Sequence, residues 1–151
     1  MGRSRQAVGA ELGWAMQRYQ RSVQAFDDAV GRMLGIGPAD LRCLDWLTDG
    51  PKTAGQLSEA TGLRPAATTA LIDRLTGKGF VHRVPSETDR RQVLVEMTPE
   101  GQARTWAAYG PLVQEGEQAL RSLSVADMQK MRDHLEVIRA LTDRHRAQLA
   151  E

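Results

Sequence analysis

With 151 residues, 41% of them hydrophobic and 26% charged, the chain can bury a core without disulfides or a structural metal, and its composition excludes a disordered or fibrous protein. Cys43 is the one cysteine, so an intrachain disulfide is excluded and a reducing cytoplasm fits; the apolar runs are far too short for a membrane span. The formal net charge of +1 excludes nothing by itself, but it is unevenly spread: residues 64–91 hold six basic against three acidic residues, and residues 1–24 hold four against one.

In chain order, the opening MGRSRQAVG carries two arginines with no apolar run behind them, which argues against a secretory signal. From Leu12 onward Met16, Tyr19, Val23, Phe26, Val30 and Met33 recur at alternating steps of four and three, the seam of a packed helix that Gly31, Gly35 and Gly37 bring to an end. Pro38 opens a second helix with Leu41, Leu44 and Leu47 on one face, and Asp49-Gly50-Pro51 stops it. Thr53 and Gln56 have the spacing of a capping box for a short helix from Ala54 to Ala60, which Gly62 ends.

Pro65 then opens a fourth helix running to about Thr76, with Gly77 and Gly79 as its stop. Phe80–Val84 and Gln92–Met97 read as the strands of a hairpin with a polar tip from Pro85 to Arg91. Thr98-Pro99 caps a fifth helix, with a bend expected near Gly110-Pro111. Ser124 with Asp127 starts a sixth, carrying Met128, Met131, Leu135, Ile138 and Leu141 at helical spacing.

This order is that of a mainly α-helical protein with a small β-hairpin: a helix-turn-helix followed by a wing, flanked by long helices. On the fourth helix, angular spacing of about 100° per residue puts Thr68, Leu71, Ile72 and Leu75 toward the core and Ala66, Ala70, Asp73 and Gly77 opposite, with Ala67, Thr69 and Arg74 on the flanks. Such a small outward face suits close approach to base edges; periodicity alone fits an ordinary amphipathic helix equally well. The tip Ser86-Glu87-Thr88-Asp89-Arg90-Arg91 could lay an arginine into a minor groove with a carboxylate to hold it, and could equally be a solvated turn.

The run from Arg74 to Gly101 resembles the wing signature of the MarR-type (multiple-antibiotic-resistance) regulators. Its elements are Leu75, Lys78-Gly79-Phe80-Val81, Arg83, Asp89-Arg90-Arg91, Val93-Leu94-Val95 and Thr98-Pro99-Glu100-Gly101. Upstream, Leu41-Arg42-Cys43-Leu44 and Gly55-Gln56-Leu57-Ser58 match the family's first DNA-domain helices. The resemblance implies a homodimeric transcriptional regulator, a repressor rather than an activator, whose two winged helices read a pseudo-palindromic operator in duplex DNA. Domain limits follow: residues 1–34 and 99–151 for dimerisation and 38–98 for DNA.

Carried over by position, Asp89 would orient Arg91 in the minor groove, and Arg90 and Arg74 would meet phosphates. Arg64, Ala66, Ala67, Thr69 and Ala70 would face the major groove. The chain departs from the family in having Arg64 where a Ser or Thr cap is usual, and alanines at 66, 67 and 70. That leaves few hydrogen-bonding groups for base readout and shifts specificity toward Thr69, Arg64, thymine methyls and DNA shape.

The resemblance also implies a small aromatic or anionic effector, with Trp14, Tyr19, Trp46 and Trp106 as the candidate pocket; aromatics at helical spacing are also ordinary core residues. Cys43, beside Leu44 in an apolar helix, reads as core packing rather than an oxidant sensor. No nucleophile elbow, phosphate-binding loop or paired-carboxylate motif is present, so an enzyme is not expected. No cofactor is expected, nor a metal: His134 and His145 would sit about 16.5 Å apart on one helix. A winged helix serving protein–protein contact is the alternative to DNA binding, and salt dependence of duplex binding separates the two.

Overall fold

The structure is a computed structural model that describes residues 4–89 and 91–149. In order it contains α1 (Arg5–Leu34), α2 (Pro38–Leu47), β1 (Lys52–Thr53), α3 (Ala54–Thr61), α4 (Pro65–Gly77), β2 (Val81–Pro85), β3 (Val93–Met97), α5 (Pro99–Leu120) and α6 (Val125–Gln148). The expected mainly helical architecture with a small wing is what forms. Arg90, assigned above to a phosphate, lies outside the described residues. No helix among the described residues is long and apolar enough to cross a membrane.

The helix ends are set by the residues the sequence singles out. Ser4 caps α1 by accepting from the Ala7 N–H at 3.2 Å, and Gly35 closes it in the left-handed region at φ 67°. Gly31 lies inside α1 rather than after it; a Cβ there would stand 3.0 Å from the Ile36 carbonyl, so its smallness lets the chain turn back. The capping box of α3 has both bonds: Gln56 N–H to Thr53 Oγ1 at 3.2 Å, and Thr53 N–H to Gln56 Oε1 at 2.8 Å.

Two units make up the chain, the first ending at Ala108, inside α5, and the second beginning at Tyr109. In the first unit α2, α3 and α4 close over the sheet, and Leu44, Leu57, Leu71, Leu75, Phe80 and Val95 are fully buried. Cys43 is 0% exposed, and burial, with the Asp40 carboxylate adding to it, pushes its thiol up to about 11. That is the buried core cysteine expected from its neighbours.

The sheet is antiparallel in the order β1-β3-β2, one strand more than the sequence suggests. The added strand is Lys52–Thr53, which pairs with Val95 and Leu94. Phe80 precedes β2 rather than opening it: its N–H returns to the Leu75 carbonyl at 3.0 Å, which leaves Val81 as the first paired residue, opposite Met97.

In the second unit α6 is capped by Ser124, whose Oγ accepts from the Asp127 N–H at 3.1 Å and donates to its carboxylate at 2.7 Å. Nothing in α6 is buried: Met131, Leu135, Val137 and Leu141 are all exposed. Pro111 lies inside α5, which continues as helix on both sides of it.

Candidate nucleic-acid interface

The turn of the helix-turn-helix rests on one backbone conformation and one side chain. Gly62 caps α3 at φ 71°, where a Cβ would be strained, and Ser58 Oγ donates to the Leu63 carbonyl at 2.6 Å. Arg64 then serves as the N-cap of α4 without a side-chain hydrogen bond, and Pro65 takes the first helical position.

Helix α4 divides as its spacing predicts. Thr68, Leu71, Ile72 and Leu75 are buried; Arg64, Ala66, Ala67, Thr69, Ala70 and Asp73 are exposed. Between α3 and α4 lies an open depression whose walls include Ala54, Ser58, Glu59, Leu63 and Thr69. From Ala66 to Ala70 the exposed residues offer a single side-chain hydrogen-bonding group, Thr69 Oγ1, and it donates back to the Pro65 carbonyl at 3.1 Å.

The wing is held at both ends. At its base Thr98 ties the wing to α5: its N–H donates to the Phe80 carbonyl at 3.0 Å, its hydroxyl donates to the Gly79 carbonyl at 2.6 Å, and the same oxygen accepts from the Gly101 N–H at 2.9 Å. Gly101 lies so close to Phe80 that a Cβ would fall 2.2 Å from the Phe80 carbonyl oxygen. Arg104 covers the Phe80 ring at 4.0 Å from its centroid and donates to the Lys78 carbonyl at 3.0 Å. The Thr98–Gly101 part of the family signature is therefore a joint that fixes the wing.

At the tip, buried Ser86 organises the turn: its Oγ accepts from the N–H groups of Thr88 at 3.3 Å and Asp89 at 3.2 Å. Asp89 Oδ1 accepts from the backbone N–H of Arg91 at 3.0 Å, and the Asp89 carbonyl accepts from Gln92 N–H at 2.9 Å. Asp89 and Arg91 thus meet through the Arg91 backbone, and Arg91 is exposed.

Two ion pairs tie α4 to its surroundings. Arg83 on β2 meets Asp73 at 2.7 Å, both exposed. Arg74, assigned above to a phosphate, turns its guanidinium to Asp40 on α2: Nε donates to Oδ2 at 3.2 Å and Nη2 donates to Oδ1. This hydrogen bond, more than the Coulomb attraction to Asp40, raises the guanidinium pKa. A hydrogen bond between His82 Nε2 and Glu96 Oε1 at 2.8 Å crosses the hairpin. Asp40 was not singled out by sequence reasoning, and Asp73 and Thr98 were placed only as an outward-facing residue and as a helix cap within the wing signature. Asp40 does stand three residues after Gly37, whose N–H it accepts at 3.0 Å, a capping position visible in the sequence; its pairing with Arg74 is not.

The aromatic residues proposed for an effector pocket, Trp14, Tyr19, Trp46 and Trp106, are all exposed, and none lines the depression between α3 and α4.

Comparison with known proteins places these features in a lineage. The family model described as the MarR family matches residues 34–92. An HTH-type transcriptional regulator of Mycobacterium bovis, Mb0904, is 31% identical over 140 residues, 90% of this chain and 93% of that protein. The regulator YcgE of Bacillus subtilis is 44% identical over 71 residues, and the matched stretch spans 46% of each protein, less than half of that relative's length. Among solved structures, a MarR family transcriptional regulator from Silicibacter pomeroyi superposes with a TM-score of 0.65 at 22% identity, covering 93% of this chain and 95% of that one; the likeness establishes the fold.

Proposed function

The chain belongs to the MarR family of HTH-type transcriptional regulators, and on that premise we propose that it binds duplex DNA sequence-specifically as a homodimer and represses the promoter it occupies. The observation that carries the proposal is one compact unit presenting two DNA-sized elements together. These are a helix whose outward face is small enough to enter a major groove, and a pinned hairpin whose tip carries Asp89 and an exposed Arg91. In this reading Arg64, Ala66, Ala67, Thr69 and Ala70 approach base edges, Arg91 enters the minor groove and Arg90 meets phosphate.

The dimer is supported by apolar surface without cover in a single chain: Leu12, Tyr19, Val23 and Met33 on α1, and Met131, Leu135 and Leu141 on α6, are exposed. A two-fold dimer would put two recognition helices about 34–36 Å apart, one turn of duplex. The effector proposed with this function is a small aromatic anion acting near Trp14, Tyr19, Trp46 and Trp106. Quenching of tryptophan fluorescence by salicylate, with a matching loss of operator affinity, is the expected sign.

The deciding experiment is selection of bound sequences from random duplexes, followed by affinity measurements across salt concentrations. Enrichment of a pseudo-palindrome, with log affinity falling linearly against log salt, is expected. Binding that neither enriches a sequence nor responds to salt would favour the protein–protein module instead.

A further inference from the structure

We propose that Asp40 is a positioning residue for DNA recognition: paired with Arg74 at two points, it fixes the attitude of α4, and the Arg74 guanidinium serves that bond rather than a phosphate. The proposal rests on the DNA-binding reading above and assigns within it a part to a residue on α2, away from the helix-turn-helix surface.

The carboxylate is fully committed. Asp40 is 2% exposed; Oδ2 accepts from the Gly37 N–H at 3.0 Å and from Arg74 Nε at 3.2 Å, and Oδ1 accepts from Arg74 Nη2. Two donors in a planar fork meeting two acceptor oxygens define a direction as well as a distance. The fork therefore limits how far α4 can roll about its axis or lift from the first turn of α2. Arg74 is placed for this: it adjoins Leu75 at the edge of the buried stripe, and its side chain is 47% exposed.

The neighbouring residue supplies a second tie to a different element. Asp73 meets Arg83 of β2 at 2.7 Å, so two successive residues of α4 are joined to α2 and to the wing. Both ties lie in the C-terminal half of the helix. The half that would face base edges, Ala66 to Ala70, has no ion pair among the described residues, and its attitude is set by the ties behind it. Burial decides between the two roles for Arg74. Were its guanidinium to leave for a phosphate, the Asp40 carboxylate would stay behind in the interior with one backbone N–H for company, which is strongly unfavourable.

The test compares the full-length protein with Asp40→Asn, Arg74→Lys and Arg74→Gln, reading operator affinity, its salt slope and denaturant stability. Asparagine keeps an acceptor for Gly37, so the Asp40→Asn protein retains its cap. A positioning pair predicts that Asp40→Asn and Arg74→Lys each weaken operator binding on the order of tenfold, with the salt slope unchanged and with non-additive effects on stability when Asp40→Asn is combined with Arg74→Gln. A phosphate contact predicts the reverse: Arg74→Lys binds nearly as well as wild type, Arg74→Gln lowers the slope by about one, and Asp40→Asn binds more tightly. That second pattern would overturn the proposal while leaving DNA binding intact. Absence of salt-dependent duplex binding by the wild type would overturn the DNA reading itself, and this proposal with it.

Discussion

The recognition helix and the wing are consecutive in sequence yet built on opposite plans. Helix α4 is held by its interior: four buried residues, with Arg74 and Asp73 engaged by partners on other elements. Its outward face consists mainly of alanines and a threonine bonded to its own backbone. The wing is held by backbone pairing and by the Thr98–Gly101 joint, and its tip carries charge outward. The helix thus offers shape with little charge, and the wing offers charge on a stiff support. In a DNA complex, discrimination by the helix would come through close contact and DNA shape, and the wing would supply much of the electrostatic affinity.

The largest effect should come from breaking the support of the wing. Gly101→Ala places a methyl group against the Phe80 backbone, which cannot move without shifting β2. A loss of about 3 kcal/mol in unfolding free energy is expected, with weakened DNA binding in the folded remainder. Denaturant titration measures it, and wild-type stability would show that the joint is softer than its geometry. Next comes the support behind the helix. Cys43→Ser buries a hydroxyl in an apolar site on α2, at a cost of about 2 kcal/mol. Because the thiol titrates only at about 11, it stays protonated at neutral pH, and mild peroxide should leave operator binding unchanged in both proteins. A peroxide-induced loss that vanishes in the serine variant would reassign Cys43 as a sensor.

The same contrast explains what could be read in advance. The two faces of α4 were legible because helical periodicity separates Thr68, Leu71, Ile72 and Leu75 from Ala66 and Ala70, and each falls on its expected side. Caps at Thr53 and Ser124 were legible because their partners lie three residues away. Strand β1 was not, since two residues carry no alternation and Lys52 and Thr53 belong to the sheet only through β3, some forty residues on. The Asp40–Arg74 pair was hidden for the same reason: thirty-four residues separate the partners. Wing signature residues were legible as a pattern, while the physical task of Thr98 and Gly101 needed coordinates.

At the tip the expected effects are on binding rather than folding. Arg91→Ala should weaken specific operator binding by about 2 kcal/mol, the scale of one good contact, with little change in unfolding free energy because the side chain is exposed. Equal binding by the variant would move the wing's contribution elsewhere and weaken the contrast with the helix.

Asp89→Ala has the smallest expected effect and the most informative sign. If the tip acted only through net charge, removing a carboxylate beside DNA would tighten binding and steepen the salt dependence. The geometry argues otherwise. Asp89 Oδ1 receives the Arg91 N–H at 3.0 Å, and the same residue's carbonyl receives Gln92 N–H, so the turn that aims Arg91 is closed through Asp89. Without the carboxylate the Arg91 backbone loses that bond, and the side chain must be ordered at the moment of binding. Affinity should therefore fall, by about 1 kcal/mol, and the double variant with Arg91→Ala should be little weaker than Arg91→Ala alone. Tighter binding by folded Asp89→Ala protein would reduce the wing to a basic patch and remove the stiffness on which its difference from the helix depends.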